Sequence, residues 1–296
     1  MSKQPGGKKS IITRIGEALT SGGIVIVAEG QVGALYCTAD AAGSASGGGA
    51  VTLNERLALR DLGLGLTVLS DAELNPGRLG LPDTPFLSDY LALSRLSRSP
   101  DKVRLAHFYS GTFSHAVGYL KRQGAIVTYT VPAHDRRVTV EEHERLLGHY
   151  PYPHIKDDGL WAMFSQGYRE ADLVIAPSRL AAEFLEREGC SSVMVIPHGC
   201  DPPERVVPLP ERFSVGYLGQ PGVDKGILYL AQAWAKLDYR DASLDLAGPG
   251  MDNSVGAWLG TRVNAGRYRL LGFITNPSAF LSACQVLVFP SVCESF

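Results

Sequence analysis

Short apolar runs alternate along this chain with longer segments of helical periodicity. In the second half, short apolar runs that end at or next to Gly or Pro occupy residues 213–218, 244–250, 268–273 and 286–290. Between them, residues 227–237 and 277–283 repeat apolar positions at helical spacing. Strands that alternate with helices in this way predict successive β-α units of a parallel sheet.

The first half of the chain shows the same alternation. Strands are predicted at 24–28, 34–37, 66–69, 106–109, 125–131, 173–176 and 192–196, and helices at 11–19, 51–62, 111–122, 160–171 and 180–188. A proline-rich stretch, PPERVVPLP, then interrupts the pattern. We therefore predict an α/β protein of two Rossmann-like, doubly wound domains, namely a disordered tail 1–10, a first domain 11–201, a linker 202–212 and a partial second domain 213–296.

Composition narrows the function classes. The 296 residues suffice for two domains of about 150 residues each. A net charge of −2 argues against a general surface for nucleic acid. The five cysteines include no C-x-x-C pair and no secretory signal precedes them, which favours reduced thiols and a cytoplasmic protein. No apolar run reaches the about 18 residues of a membrane span, so any membrane contact is expected to be peripheral.

The stretch RFSVGYLGQPGVDKG, residues 212–226, is the strongest candidate for binding chemistry. It predicts a strand, a tight glycine loop and the start of a helix. Backbone N–H groups at such a helix start attract phosphate, and Lys225 adds a full positive charge. The glycine spacing fits neither the dinucleotide motif G-x-G-x-x-G nor a P-loop.

Further motifs follow this loop in a recognisable order. They are G-x-x-x-x-x-K-G at 219–226, A-G-x-G at 247–250, L-G-F at 271–273 and F-P-S-x-x-E-S-F at 289–296. The first half contributes ADLVIAPS and VIPHGCD. Together they resemble the GT-B-fold family "glycosyl transferases group 1", which includes sucrose and glycogen synthases.

The resemblance implies a retaining glycosyltransferase that moves a sugar from a nucleoside-diphosphate sugar to an unidentified sugar, lipid or polysaccharide acceptor, without a cofactor or a divalent metal. It implies catalytic roles for His134 and Glu294. It also implies that the donor diphosphate contacts Gly48, Gly49, Gly219, Gln220 and Lys225, and that the nucleotide lies by Gly272, Phe273 and Ile274. Gly48 and Gly49 are predicted to lie in a glycine loop of small residues, 39–50, before the helix at 51.

The chain departs from the family pattern at three places. The family's Arg is replaced by Gln220, which is neutral. Pro-Ala precedes His134 where the family more often has Val alone. The family's second Glu would fall beyond Phe296, so we expect the nucleotide domain to be incomplete, as a fragment or a truncated gene product.

These departures keep two other hypotheses open, a catalytically inactive GT-B-like binding module or fragment and, more weakly, a sugar-nucleotide epimerase. His134 also fits a surface turn. The histidines at 143, 149 and 154 match no zinc spacing, and we predict no metal site. The segment 141–158 that contains them is predicted to be a charged helix end followed by a loop.

Overall fold

The computed structural model of this chain contains two parallel β-sheets with helices between successive strands. It describes residues 33–38, 47–63, 65–70, 85–98, 103–109, 113–132, 135–146, 158–199, 208, 211–222, 224–237, 239, 241–251, 254–261, 263–264 and 267–296. The chain divides into one unit of Met1–Ala133, Asp157–His198 and Ser295–Phe296, and another of His134–Lys156 and Gly199–Glu294. The predicted α/β class with two parallel-sheet domains is confirmed.

The first unit has a six-stranded parallel sheet in the order β2-β1-β3-β4-β5-β6. Its strands are β1 Gly33–Thr38, β2 Gly65–Ser70, β3 Leu105–Tyr109, β4 Ile126–Thr130, β5 Leu173–Ala176 and β6 Val193–Val195. Its helices are α1 Gly47–Asp61, α2 Pro85–Arg98, α3 Ser114–Arg122, α5 Asp158–Glu170 and α6 Arg179–Arg187. All of these strands match predicted runs to within a few residues. The predicted tail 1–10, helix 11–19 and strand 24–28 lie outside the described residues.

The two faces of this sheet differ in chemistry because side chains alternate along each strand. One face carries the main apolar core, which includes Phe108, Val127 and Leu185. On the other face, the register aligns three rows across β1, β3 and β4. From the amino edge to the carboxyl edge these rows are Ala34-Leu105-Ile126, Tyr36-His107-Thr128 and Thr38-Tyr109-Thr130. The amino half of this face is thus apolar and the carboxyl half polar.

Glu55 of α1 is bound within this polar half. The Tyr36 hydroxyl donates to its Oε2 at 2.7 Å, and His107 Nε2 lies 3.2 Å from the same oxygen. Burial opposes ionisation, but the hydrogen bond and charge of His107 outweigh it, so the pKa of Glu55 is lowered. Its stabilising contribution is therefore present above its unfolded pKa of about 4.3 and is lost as pH falls through the lower folded value.

Asp89 of α2 caps the start of α3. Its buried carboxylate accepts the backbone N–H groups of His115 and Ala116, each at 2.9 Å, and lies 2.8 Å from His115 Nδ1. N–H groups in the first turn of a helix have no partner within the helix, so this contact satisfies donors that would otherwise be unpaired. It also links two neighbouring helices of the first unit.

The second unit has a four-stranded parallel sheet in the order β10-β7-β8-β9. Its strands are β7 Phe213–Leu218, β8 Ala242–Ala247, β9 Tyr268–Gly272 and β10 Val286–Leu287, and its helices are α4 Arg136–Leu146, α7 Ile227–Lys236, α8 Ser254–Gly260 and α9 Pro277–Ser282. The apolar face of α7 packs on the sheet through Ile227, Leu230 and Trp234, which are buried with Leu244 and Leu246.

Two helices of the second unit differ from the sequence prediction. Helix α8 was not predicted, and α4 is longer than the charged helix end expected near 141. The predicted first domain runs without interruption to 201, whereas residues 134–156 group here with the second unit. In this segment, Glu142 and Arg145 of α4 both hydrogen-bond to Tyr229 of α7. The predicted bounds of the domains and the linker stay predictions.

No helix in the described part of the chain is both long enough and apolar enough to cross a membrane.

Replacing Asp89 by Ala should lower the free energy of unfolding by about 1–3 kcal/mol, because two first-turn N–H groups lose their charged acceptor. Urea titration followed by circular dichroism measures this loss. Asp61→Ala is the control, since Asp61 is exposed at the end of α1 and its replacement should change stability by at most about 0.5 kcal/mol. Equal effects of the two substitutions would contradict the capping role.

Candidate active site

The strand order of the second sheet defines where a ligand is expected. From β7 the chain adds β8 and then β9 on one side, and it returns to place β10 on the other side. The direction of strand order therefore reverses between β7 and β10. In open α/β sheets, ligands bind outside the carboxyl ends of the strands at such a switch point. The loops after β7 and β10 are the ones that carry Lys225 and Glu294.

Glycines bring the loops at this edge into backbone contact. Gly219 N–H donates to the carbonyl of Ala247 at 2.9 Å, and Gly248 N–H donates to that of Gly272 at 2.7 Å. A Cβ on Gly248 would overlap the carbonyl oxygen of Gly219. The first glycine of the A-G-x-G motif, Gly248, is thus required because the loops after β7 and β8 approach each other closely.

The turn that precedes α7 is held against the segment that follows β10. Gly226, with φ of +62°, is the N-cap of α7, and a Cβ there would overlap the carbonyl oxygen of Pro290. Val292 N–H donates to the carbonyl of Asp224 at 2.8 Å. These contacts place residues 224–226 beside residues 290–293.

Lys225 and Glu294 meet directly. Lys225 Nζ lies 2.7 Å from Glu294 Oε1 and 3.6 Å from Asp224 Oδ2. The side chains of Lys225 and Glu294 are 33% and 30% exposed, so water still reaches this ion pair. The first turn of α7 contains no acidic residue, and its N–H groups add partial positive charge beside Lys225. Positive charge from Lys225 and from the first turn of α7 is thus paired with the carboxylate of Glu294.

The remaining predicted residues of the second unit lie at the same edge. Gln220 is exposed and follows Gly219, and its carbonyl accepts from the Tyr217 hydroxyl at 3.2 Å. Gly272 ends β9 with φ of +61°. Phe273 is exposed and Ile274 is half-buried.

The predicted residues of the first unit have a different setting. Gly48 and Gly49 were expected in a loop before a helix at 51, but they belong to the first turn of α1, which begins at Gly47. Four residues of the predicted glycine loop thus have helical hydrogen bonding instead. His134 lies outside the described residues, as do the histidines at 149 and 154. The roles assigned to all the site residues stay predictions.

Two further residues of this region were not singled out from the sequence. Asp224 supplies a second carboxylate near Lys225, and its position directly before Lys225 was the available signal. Cys293 directs its thiol to the carbonyl of Asp135 at 3.9 Å, and burial raises the pKa of that thiol. Nothing in the local sequence around Cys293 indicates this contact. Within the described ranges, no three His, Cys, Asp or Glu residues are grouped to hold a metal ion.

Comparison with known proteins supports the resemblance. Residues 212–296 match the family model "Glycosyl transferases group 1". No curated protein matches the sequence. The match covers the loops after β7, β8, β9 and β10, which are those that form the edge described above.

Solved structures share the fold across most of the chain. Sucrose-phosphate synthase from Thermosynechococcus elongatus is 18% identical with a TM-score of 0.66, covering 89% of this chain and 77% of its own. WaaG, a glycosyltransferase involved in lipopolysaccharide biosynthesis, is 12% identical with a TM-score of 0.58, covering 87% and 75%. HepE from Anabaena, in complex with UDP and glucose, is 15% identical with a TM-score of 0.55, covering 89% and 76%. The fold is thus that of GT-B glycosyltransferases, and residues 212–296 carry the match to a transferase family.

Gly226→Ala should destabilise the protein more than Gly272→Ala. The two glycines have nearly the same positive φ, +62° and +61°, but an added Cβ meets Pro290 at position 226 and nothing within 4 Å at position 272. We expect a loss of about 1–2 kcal/mol at 272 from backbone strain alone and a further loss of about 1–3 kcal/mol at 226. Urea titrations of both variants measure the difference. Equal losses would show that the turn and the segment after β10 are not in tight contact.

Proposed function

We propose that this chain is a glycosyltransferase that takes a sugar from a nucleoside-diphosphate sugar, with the diphosphate bound by Lys225 and the start of α7. The observation that carries the proposal is the position of Lys225 at the β7/β10 switch point, 2.7 Å from Glu294. The family match over the same segment supports it.

The chemistry of sugar transfer explains why such a site would matter. Breaking the bond between the anomeric carbon and the diphosphate leaves negative charge on the departing phosphate. Donors and cations that are already in place stabilise this charge better than water does, since they need no reorganisation during the reaction. Lys225 supplies a full charge, and the N–H groups in the first turn of α7 supply oriented dipoles.

UDP-glucose is the donor we propose to test first. HepE has been solved in complex with UDP-glucose as well as with UDP and glucose. In this chain Phe273 is 52% exposed beside Gly272, which gives an apolar ring at the edge where the nucleotide is predicted to lie. Aromatic rings stack on nucleobases without strong preference among them, so the ring supports nucleotide binding more than a choice of base.

We assign Glu294 to the sugar side of the donor and His134 to the transferred bond, with retention of anomeric configuration, as the family resemblance implies. The acceptor in this proposal is a sugar or a sugar-bearing lipid or polysaccharide. The donor is a substrate, and the proposed reaction needs no further cofactor or metal.

A nucleotide-binding module without transferase activity is the second candidate, and Gln220 is the observation that favours it. The family has an Arg at this position, whose planar guanidinium would offer two parallel hydrogen bonds and a charge to phosphate. Gln220 offers a neutral amide. Such a module would bind UDP-glucose without transferring or hydrolysing the sugar.

Lys225→Ala should weaken UDP binding by about 1.5–3 kcal/mol, because a charge-assisted contact to phosphate is lost. Isothermal titration calorimetry measures the dissociation constant. Lys236→Ala is the charge-matched control, since Lys236 is exposed in the last turn of α7, at the other end of that helix. An unchanged constant for Lys225→Ala would remove the proposed phosphate role.

Gln220→Arg should strengthen UDP binding by about tenfold, which corresponds to about 1.4 kcal/mol from a charged, two-pronged contact. The exposed position of Gln220 leaves room for the longer side chain. The same titration measures this gain, and a donor-hydrolysis assay with UDP-glucose shows whether catalysis follows. Weaker binding by the Arg variant would indicate that residue 220 does not face the diphosphate.

A further inference from the structure

The ion pair between Lys225 and Glu294 joins two groups to which the proposed function gives separate tasks. The lysine is assigned to the diphosphate and the glutamate to the sugar. Here the carboxylate of Glu294 accepts from Lys225 Nζ at 2.7 Å, within the range of a strong charge-assisted hydrogen bond. Both a carboxylate and a phosphate present anionic oxygens to an ammonium group. The carboxylate of Glu294 therefore makes the same kind of contact with Lys225 that a phosphate oxygen would make.

The backbone keeps the two partners together. Val292 N–H and Cys293 N–H lie 2.8 Å and 3.4 Å from the carbonyl oxygen of Asp224, the residue before Lys225. Gly226, the residue after it, is in contact with Pro290. The ion pair thus needs only side-chain rotation to open or close, because main-chain contacts fix the distance between the two segments.

The pair is also weak enough to exchange. Both side chains are about one-third exposed, and solvent-exposed ion pairs are weak because water and salt screen them. Asp224, with its carboxylate 3.6 Å from Lys225 Nζ, is a second anion in the same place. A diphosphate with two or more charges competes with a single carboxylate for the lysine.

We propose that Glu294 is an internal counter-ion of Lys225 that the donor diphosphate displaces, and that its return to the lysine favours release of the nucleoside diphosphate after transfer. This inference rests on the proposed function. A displaced carboxylate needs hydrogen-bond donors, and the hydroxyl groups of a donor sugar can supply them. UDP lacks that sugar, so Glu294 penalises UDP more than UDP-glucose. The pair thereby favours the substrate over the product.

The test compares UDP and UDP-glucose binding to the wild-type chain and to Glu294→Gln by isothermal titration calorimetry. Removing the counter-ion should strengthen UDP binding about threefold to tenfold, equal to about 0.6–1.4 kcal/mol. UDP-glucose should gain less, because the introduced amide can accept only part of what the carboxylate accepted. If Glu294 simply bound the donor, Glu294→Gln would weaken binding instead of strengthening it. Unchanged or weaker UDP binding by Glu294→Gln overturns the inference, as does an equal gain for both ligands.

Three controls separate the counter-ion role from a general change of charge. Glu211→Gln removes one negative charge at the amino end of β7, away from the carboxyl edge of the sheet, and should leave UDP affinity unchanged. Asp224→Asn should give a smaller gain than Glu294→Gln because its contact with Lys225 is longer. In a Lys225→Ala background, Glu294→Gln should give no gain. The same gain in that background would mean repulsion of the ligand by Glu294 and would overturn the inference.

UDP binding by the wild-type chain and the variants distinguishes this inference from the proposed function. UDP binding that depends on Lys225 but does not strengthen in Glu294→Gln contradicts the inference alone. Absence of UDP binding by all variants, with unfolding curves that show a folded chain, contradicts both. Raising the salt concentration should reduce the difference between wild type and Glu294→Gln, because screening weakens the exposed pair.

Discussion

Backbone contact between the turn 224–226 and the segment 290–293 is the constraint on which the candidate site depends. The two segments are far apart in the chain and meet because β10 pairs with β7. Gly226 permits the contact, since any side chain there would overlap Pro290. The hydrogen bond from Val292 to Asp224 then sets the distance between the lysine and glutamate side chains. Without this contact, Lys225 and Glu294, which lie on separate loops, would not be held within hydrogen-bonding distance of each other.

Burial decides what each ion pair of the second unit can do. Asp245 in β8 is 3% exposed, and it accepts from Ser214 Oγ at 2.8 Å and from Arg269 Nε at 2.6 Å. Only the carboxylate of this pair is buried, since the Arg269 side chain is 63% exposed. Removing its donors would leave a buried charge without compensation, so these contacts are structural. The pair between Lys225 and Glu294 involves the same kinds of groups but remains accessible to water. Lys225 can therefore exchange Glu294 for another anion without disturbing the core.

The first unit separates its apolar and polar layers by position along the strands. Ala34, Leu105 and Ile126 form a small apolar cluster at the amino half of the face covered by α1. Two residues further along β3, His107 lies between Glu55 and Thr128, with Nδ1 at 2.7 Å from the threonine hydroxyl. The polar groups are paired with one another, which makes their burial tolerable. This face of the sheet is thus apolar at its amino end and polar at its carboxyl end.

Local sequence determined the strands, most of the helices and the α/β class, because alternation of apolar residues reports directly on which side of an element is buried. It also identified Lys225 through its glycine loop and Glu294 through the F-P-S-x-x-E-S-F motif. Tertiary structure decided that these two side chains touch, that Gly48 and Gly49 begin a helix, and that α4 groups with the second unit. The contact of Cys293 with Asp135 was decided in the same way. Contacts between residues distant in the chain depend on strand order and on close backbone approach, and no periodicity within a short segment contains that information.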